Sequence, residues 1–163
     1  MSAVHKFAET VEVGLCPSGT YALLIELEEP LRVKAGAKSA LLAPGLYVYC
    51  GSAKGRGGTA ARIGRYMRRD KLAHWHVDQL TSVGTVLGAW IFLGRSECEV
   101  NEELAGWPIP FDGFGSSDCR RCRAHLRFWP PGASAPREWE SRPRQQRASL
   151  KCWAESASVK SAL

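Results

Sequence analysis

Four glycines fall within eight residues at Gly51-Ser52-Ala53-Lys54-Gly55-Arg56-Gly57-Gly58. Glycine gives up the most backbone freedom on ordering and has no side chain to pack, so this density predicts a loop. The loop divides two kinds of chain. Before it, Tyr21–Leu27 is an apolar, branched run bounded by Pro17-Ser18-Gly19 and by Glu28-Glu29-Pro30, which reads as a buried strand. Leu31–Val33 with Gly36 suggests a short second strand and turn, and Leu46–Cys50 after Pro44-Gly45 a third. After the loop, Ala60, Ile63 and Met67 recur at helical steps behind Thr59, a natural cap. On that helix Arg62, Arg65 and Arg69 form a separate stripe at the same period.

Further on, His74-Trp75-His76-Val77-Asp78 reads as an extended segment, in which His74, His76 and Asp78 would point one way. Either histidine suits proton transfer near neutrality, and a hydrogen-bonded structural pair or metal binding by His76 and Asp78 are the alternatives. Val83–Leu93 reads as a central strand, Glu97–Leu104 as a short helix capped by Ser96, and Leu126–Trp129 as a last strand stopped by Pro130-Pro131. Trp75, Trp90, Trp107 and Trp129 are expected in the core or at its rim, where an exposed one could stack on a base. Strands before the loop and helices interleaved with two further strands after it predict an α/β chain of the α+β kind, with a mainly antiparallel sheet of three to five strands flanked by helices.

With 163 residues, 45% of them apolar and 23% charged, the chain has the size and balance of one domain with a tail. The expected division is a lead-in over 1–18, a folded domain over 19–130 and a flexible basic tail over 131–163, with Pro, Ser, Ala and Arg dominating the last. Val83–Leu93, the longest apolar run, is broken by Gly84, Thr85 and Gly88 and is far short of the ~20 residues a spanning helix needs. His5, Lys6, Glu9 and Glu12 interrupt the first residues, so no secretion signal is read and a cytoplasmic location is expected.

The net charge of +6 is unevenly spread. Lys54, Arg56, Arg62, Arg65, Arg68, Arg69 and Lys71 face a single acid, Asp70, between positions 54 and 71, and Arg120, Arg121, Arg123 and Arg127 form a second cluster. Such clustering fits phosphate contacts, as it also fits a solvated surface. Gly113, Gly115, Ser116 and Ser117 beside Asp118 could present backbone N–H groups to a phosphate or form an ordinary turn. Cys119-x2-Cys122-x2-His125 offers three metal ligands at short spacing, and Cys98 could complete a tetrahedral zinc site. Buried free thiols are the alternative.

Gly19-Thr20-Tyr21, Tyr49-Cys50-Gly51 and Arg62 on the following helix resemble the GIY-YIG nuclease superfamily. The ordered strings PGLYVYCGSAKGRGG, ARIGRYMR, HWHVD, EC and GFGSSDC resemble an uncharacterised branch of it, found alone or fused to endonuclease III-type repair glycosylases. The resemblance covers Gly19 to Phe128. It implies a divalent-metal-dependent endonuclease acting on DNA in repair or processing, with RNA left open and a repair glycosylase as an expected partner. By the same resemblance Tyr21 and Tyr49 position or deprotonate a water, Arg62 holds the scissile phosphate, and Glu97, or Glu99 in its place, binds Mg²⁺ or Mn²⁺. One histidine, His74 or His76, could serve as general base, as a histidine does in some relatives of the superfamily. Lys54, Arg56, Arg65, Arg69, Ser116 and Ser117 are the expected nucleic-acid contacts. In most of that superfamily the two tripeptides lie about ten residues apart, whereas Tyr21 and Tyr49 are 28 positions apart, so an inserted strand or loop must intervene. The alternative is a module of the same fold that binds nucleic acid without turnover.

Overall fold

A computed structural model describes residues 18–140 and 147–148. Eleven elements follow in chain order: β1 (Gly19–Leu27), β2 (Leu31–Ala35), β3 (Lys38–Leu42), β4 (Gly45–Ala53), α1 (Gly58–Met67), α2 (His76–Thr81), β5 (Thr85–Phe92), α3 (Glu97–Glu102), β6 (Leu126–Phe128), α4 (Arg137–Glu140) and β7 (Arg147–Ala148). The main sheet runs β6-β4-β1-β5-β7 with every neighbour antiparallel, and β2 pairs with β3 in a separate hairpin. The α+β class and the antiparallel sheet are as the patterning implied.

β1 lies at the middle of the sheet, which explains why it is apolar at nearly every position rather than alternately. Tyr21, Leu23, Ile25 and Leu27 face one layer, together with Tyr47 and Tyr49 of β4, Ile63 and Tyr66 of α1, Val77 and Leu80 of α2, and Val33 and Leu42 of the hairpin. Ala22 and Leu24 face the other, with Val48, Cys50, Trp90, Phe92, Val100, Leu104, Trp129 and Trp139. Each sheet face therefore has its own core.

Several expectations change. β4 continues through Gly51-Ser52-Ala53 and α1 begins at Gly58, so the connection is only residues 54–57. The cap of α1 is Gly57, at φ +82°, and Thr59 is a buried residue inside the helix. The insertion between the tyrosines is the β2–β3 hairpin, and it lies on the sheet rather than in it. Residues 74–78 are not one extended run, because α2 starts at His76 and turns Asp78 into the core. The tail boundary also moves: Trp139 is fully buried, packed 5.0 Å from the Trp90 ring and 5.3 Å from Phe92, with its indole N–H directed to Glu103. Residues 131–140 complete the second core, and the remainder of the expected tail lies outside the described residues apart from β7. Among the described residues no helix is long and apolar enough to cross a membrane.

Candidate active site and metal centre

The antiparallel register sets Leu23 opposite Tyr49 and Gly51 opposite Tyr21, so the two tyrosines lie on adjacent strands of one face, two residues apart in register. A side chain at Gly51 would strike the Tyr21 ring, which is why a glycine closes this motif. Tyr21 shares a 2.8 Å hydroxyl–hydroxyl hydrogen bond with Tyr66 of α1, one turn after Arg62. Tyr66 was not among the residues singled out in the sequence, although its position four after Arg62 places it on the neighbouring helix surface.

Burial raises the Tyr21 phenol well above its ordinary value, and the phenols of Tyr66 and Tyr49 add to this while Arg62 opposes it. Burial likewise raises Tyr49, with Tyr66 and Glu97 contributing in the same direction and Arg62 against them. Both phenols are therefore neutral at physiological pH and able to orient an oxygen by hydrogen bonding. Tyr21 is 1% exposed and Tyr49 7%.

Arg62 lies with its guanidinium 4.0 Å from the centre of the Trp75 ring, a cation–π contact. Arg65 approaches the same ring at 5.0 Å and forms a 2.9 Å ion pair with Asp78. One oxygen of Asp78 accepts that bond together with the backbone N–H groups of His74 at 2.7 Å and Trp75 at 2.9 Å. Burial works to raise the Asp78 pKa, but these donors outweigh it and hold the carboxyl below its usual range. Asp78 is thus an organiser of the 74–78 turn, not a metal partner for His76, and Arg65 is spent within the fold rather than offered to a phosphate. Arg69 donates to the Val83 carbonyl at 2.9 Å, while Lys54 and Arg56 are exposed on the 54–57 connection.

His74 is exposed and stands edge-on to Trp75 at 4.5 Å. His76 accepts a 2.9 Å hydrogen bond at Nδ1 from the Gly115 N–H, which leaves Nε2 as the protonated nitrogen of a neutral ring. Gly115 has φ +75°, and a side chain there would collide with the Tyr49 ring. His76, Gly115 and Tyr49 thus form one contact chain.

The loop around Gly115 is not an anion nest. Gly113 N–H donates to Arg123, Phe114 N–H to Phe111, Gly115 N–H to His76 and Ser116 N–H to Gly113, while the buried Ser116 hydroxyl donates to the Arg123 carbonyl. Of the two serines only Ser117 is exposed.

α3 packs on the opposite sheet face through Val100, with Ser96 and Glu99 forming a reciprocal capping box at its start. Glu99 is committed to that cap, accepting from the Ser96 N–H at 2.7 Å and from its hydroxyl at 2.8 Å, so it does not serve as the alternative metal carboxylate. Glu97, half-buried at the first helical position, makes no hydrogen bond or ion pair among the described residues. Its charge bears on Tyr49, Cys50 and His125.

Immediately beside it, Cys98, Cys119, Cys122 and His125 place their ligand atoms within 4.8 Å of one another. Cys98 Sγ lies 3.4 Å from Cys119 Sγ and 4.0 Å from His125 Nε2. Four ligands around one tetrahedral ion at ~2.0–2.3 Å stand ~3.4–3.8 Å apart, so the group fits a metal after small side-chain adjustments. Burial works to raise the Cys119 thiol, but N–H groups of Cys122 at 3.3 Å and Arg121 at 3.4 Å donate to its sulfur and leave it below its usual value. Burial lowers His125, so it is neutral at pH 7 and can coordinate. The Cys3His set is a candidate metal centre built from α3 and the loop after it.

Residues 20–145 match the family described as domain of unknown function DUF123. The chain belongs to this family. The DUF123 region takes in both tyrosines, Arg62, Glu97 and all four candidate ligands, and it extends beyond position 130 to include Trp139, as the second core requires. Neither the curated proteins nor the solved structures offered a match.

Proposed function

We propose that this DUF123 protein is a divalent-metal-dependent endonuclease that hydrolyses DNA phosphodiester bonds, in repair or processing of DNA. The observation that carries the reading is the grouping of three phenols beside Arg62. Tyr21, Tyr49 and Tyr66 share one sheet face, and Tyr66, hydrogen-bonded to Tyr21, lies one helical turn after Arg62, while Glu97 begins α3, which packs on the other face. Arg62, its guanidinium over the Trp75 ring, supplies a cation for a phosphate. Neutral Tyr49 and Tyr21 supply hydroxyls that orient the attacking water or a phosphate oxygen, and Tyr66 aims the Tyr21 hydroxyl. His76, accepting from Gly115 at Nδ1, carries its proton at Nε2 and is suited to donate a hydrogen bond there to a phosphate oxygen. Glu97 is the carboxylate that would hold Mg²⁺ or Mn²⁺, which supplies charge neutralisation at the phosphoryl group when bound. We assign zinc to the Cys3His set, because three sulfurs with one imidazole favour it over harder cations.

A binding module without turnover is the second reading, favoured by the near-complete burial of Tyr21 and the engagement of its hydroxyl with Tyr66. Labelled branched, nicked and plain duplex DNA, incubated with the purified protein and Mg²⁺ or Mn²⁺, separates them. Metal-dependent products that disappear in Arg62→Ala and Glu97→Ala support the nuclease. Tight binding with no product from any substrate in either metal overturns it in favour of the module. For the second metal, elemental analysis should find about one zinc per chain, lost in Cys119→Ser; metal-free wild-type protein would remove the zinc assignment.

A further inference from the structure

The hairpin inserted between the two tyrosines is not explained by the site above. Its inner face is apolar: Leu31, Val33, Leu42 and Ala40 lie against the core beneath α1 and α2. Its register pairs Arg32 with Leu41 and Lys34 with Ser39, so these four side chains share the outer face. All four are exposed, Leu41 to 60%, and Lys38 is exposed at the tip. Residues 31–42 contain no acid, and the side chains of Arg32, Lys34 and Lys38 make no ion pair or hydrogen bond among the described residues.

The hairpin is also held in place. Gln79 of α2 accepts from the Lys34 N–H with its carbonyl oxygen and donates to the Lys34 carbonyl with its amide, both at 2.8 Å. One side chain thus does for β2 what a neighbouring strand would do, and it ties the ribbon to the α2 and α1 layer. Along that layer, residues 54–81 hold seven cations and two acids; Arg65 and Asp78 pair with each other, which leaves six cations against Asp70.

We propose that the β2–β3 ribbon is an accessory grip on a nucleic-acid backbone, extending the phosphate-binding surface from α1 across α2 to Arg32, Lys34 and Lys38. Arg32 and Lys34 on the outer face and Lys38, paired with Ala35 at the tip, with no acid in residues 31–42, suit backbone contacts, which carry no sequence preference. Leu41 in their midst gives the ribbon an apolar point that can rest on a sugar. The partner class rests on the nucleic-acid reading above, whereas cleavage does not enter the inference.

The test is duplex DNA binding to the full chain over a range of salt, with no Mg²⁺ or Mn²⁺ added. Arg32→Glu/Lys34→Glu/Lys38→Glu should lower affinity at least about tenfold at low salt. Arg32→Gln/Lys34→Gln/Lys38→Gln should reduce the slope of log affinity against log salt by about 2 to 3, at ~0.9 per lost phosphate contact. The glutamine protein is decisive where the glutamate one unfolds early in a thermal melt. Unchanged affinity and slope in a folded triple variant would overturn the proposal. So would polyglutamate binding to wild type as tightly as DNA through the same three residues, which would make the ribbon a dock for acidic protein. Because a protein that never cuts DNA still gives a clear answer, failure here is distinct from failure of the nuclease reading. Arg62→Ala should lose cleavage yet keep the ribbon-dependent part of the salt slope.

Discussion

The two faces of the sheet are built on opposite principles. The face bearing Ala22, Leu24, Val48 and Cys50 is closed by a stack of indoles, with Trp107 and Trp129 rings 4.7 Å apart and Trp90 between Trp129 and Trp139. The face bearing Tyr21 and Tyr49 is closed by apolar side chains together with hydrogen-bonded phenols, a buried aspartate and two arginines, Arg62 and Arg65. An aromatic stack gains stability from area alone and tolerates no polar atom without a partner. A polar core face gains less, because each buried group must be matched, but it leaves ionisable side chains oriented toward the surface. The indole face is therefore a packing surface, whereas the face of Tyr21 and Tyr49 carries the ionisable side chains of the candidate site. The Cys3His set is joined to β4 through the Cys50 N–H, which donates to the His125 carbonyl at 2.9 Å.

Substitutions break or sharpen this contrast. Trp139→Ala, which empties the indole stack, should cost about 3–5 kcal/mol in equilibrium unfolding. A loss under about 1 kcal/mol would mean residues 131–140 are dispensable and the tail boundary at 130 correct. On the polar face, Asp78→Ala should cost less, about 2–3 kcal/mol, since the orphaned Arg65 remains a quarter exposed and can turn to solvent. The same carboxylate predicts acid sensitivity. Its folded pKa lies below the ordinary 3.8, so its contribution is complete above that value and is lost as pH falls through the folded one. Denaturation curves below pH 4 should show wild type converging on Asp78→Asn; parallel curves would contradict the pairing. Tyr21→Phe leaves the Tyr66 hydroxyl without its partner and should cost about 1 kcal/mol. Under the nuclease reading it should reduce cleavage by more than that change in stability accounts for. Gln79→Ala should be the mildest, about 0.5 kcal/mol or little more, because both of its bonds lie at the surface. Hydrogen exchange at the Lys34 amide should nevertheless accelerate.

Legibility varied with how local the cause of each feature is. β1, β4 and β5 were visible because branched and aromatic residues accumulate where a strand is covered on both sides. β3, Lys-Ser-Ala-Leu-Leu, carries no β-branched or aromatic residue and exists because β2 and the core beneath it hold it there. His74-Trp75-His76 alternates like a strand, yet Asp78, three residues after Trp75, caps a helix instead by accepting the Trp75 N–H. The four metal-ligand types were readable from spacing, with Cys98 brought in from twenty-one residues before Cys119 by the capped turn of α3. Trp139 gave no signal, since it stands alone among polar residues and prolines and only the indoles of β5 and the segment after β6 make it a core residue.

By itself the order of residues determined the strand-rich first part, the glycine-marked junction into an arginine-bearing helix, and the chemical types able to bind metal. These follow from backbone preference and from the period of burial, which act over a few residues. Which phenol pairs with which, which arginine is neutralised, which carboxylate stays uncommitted and where the inserted ribbon lies were decided only when distant segments packed. Those outcomes depend on distances of a few ångströms between groups tens of residues apart, and no local preference encodes such distances.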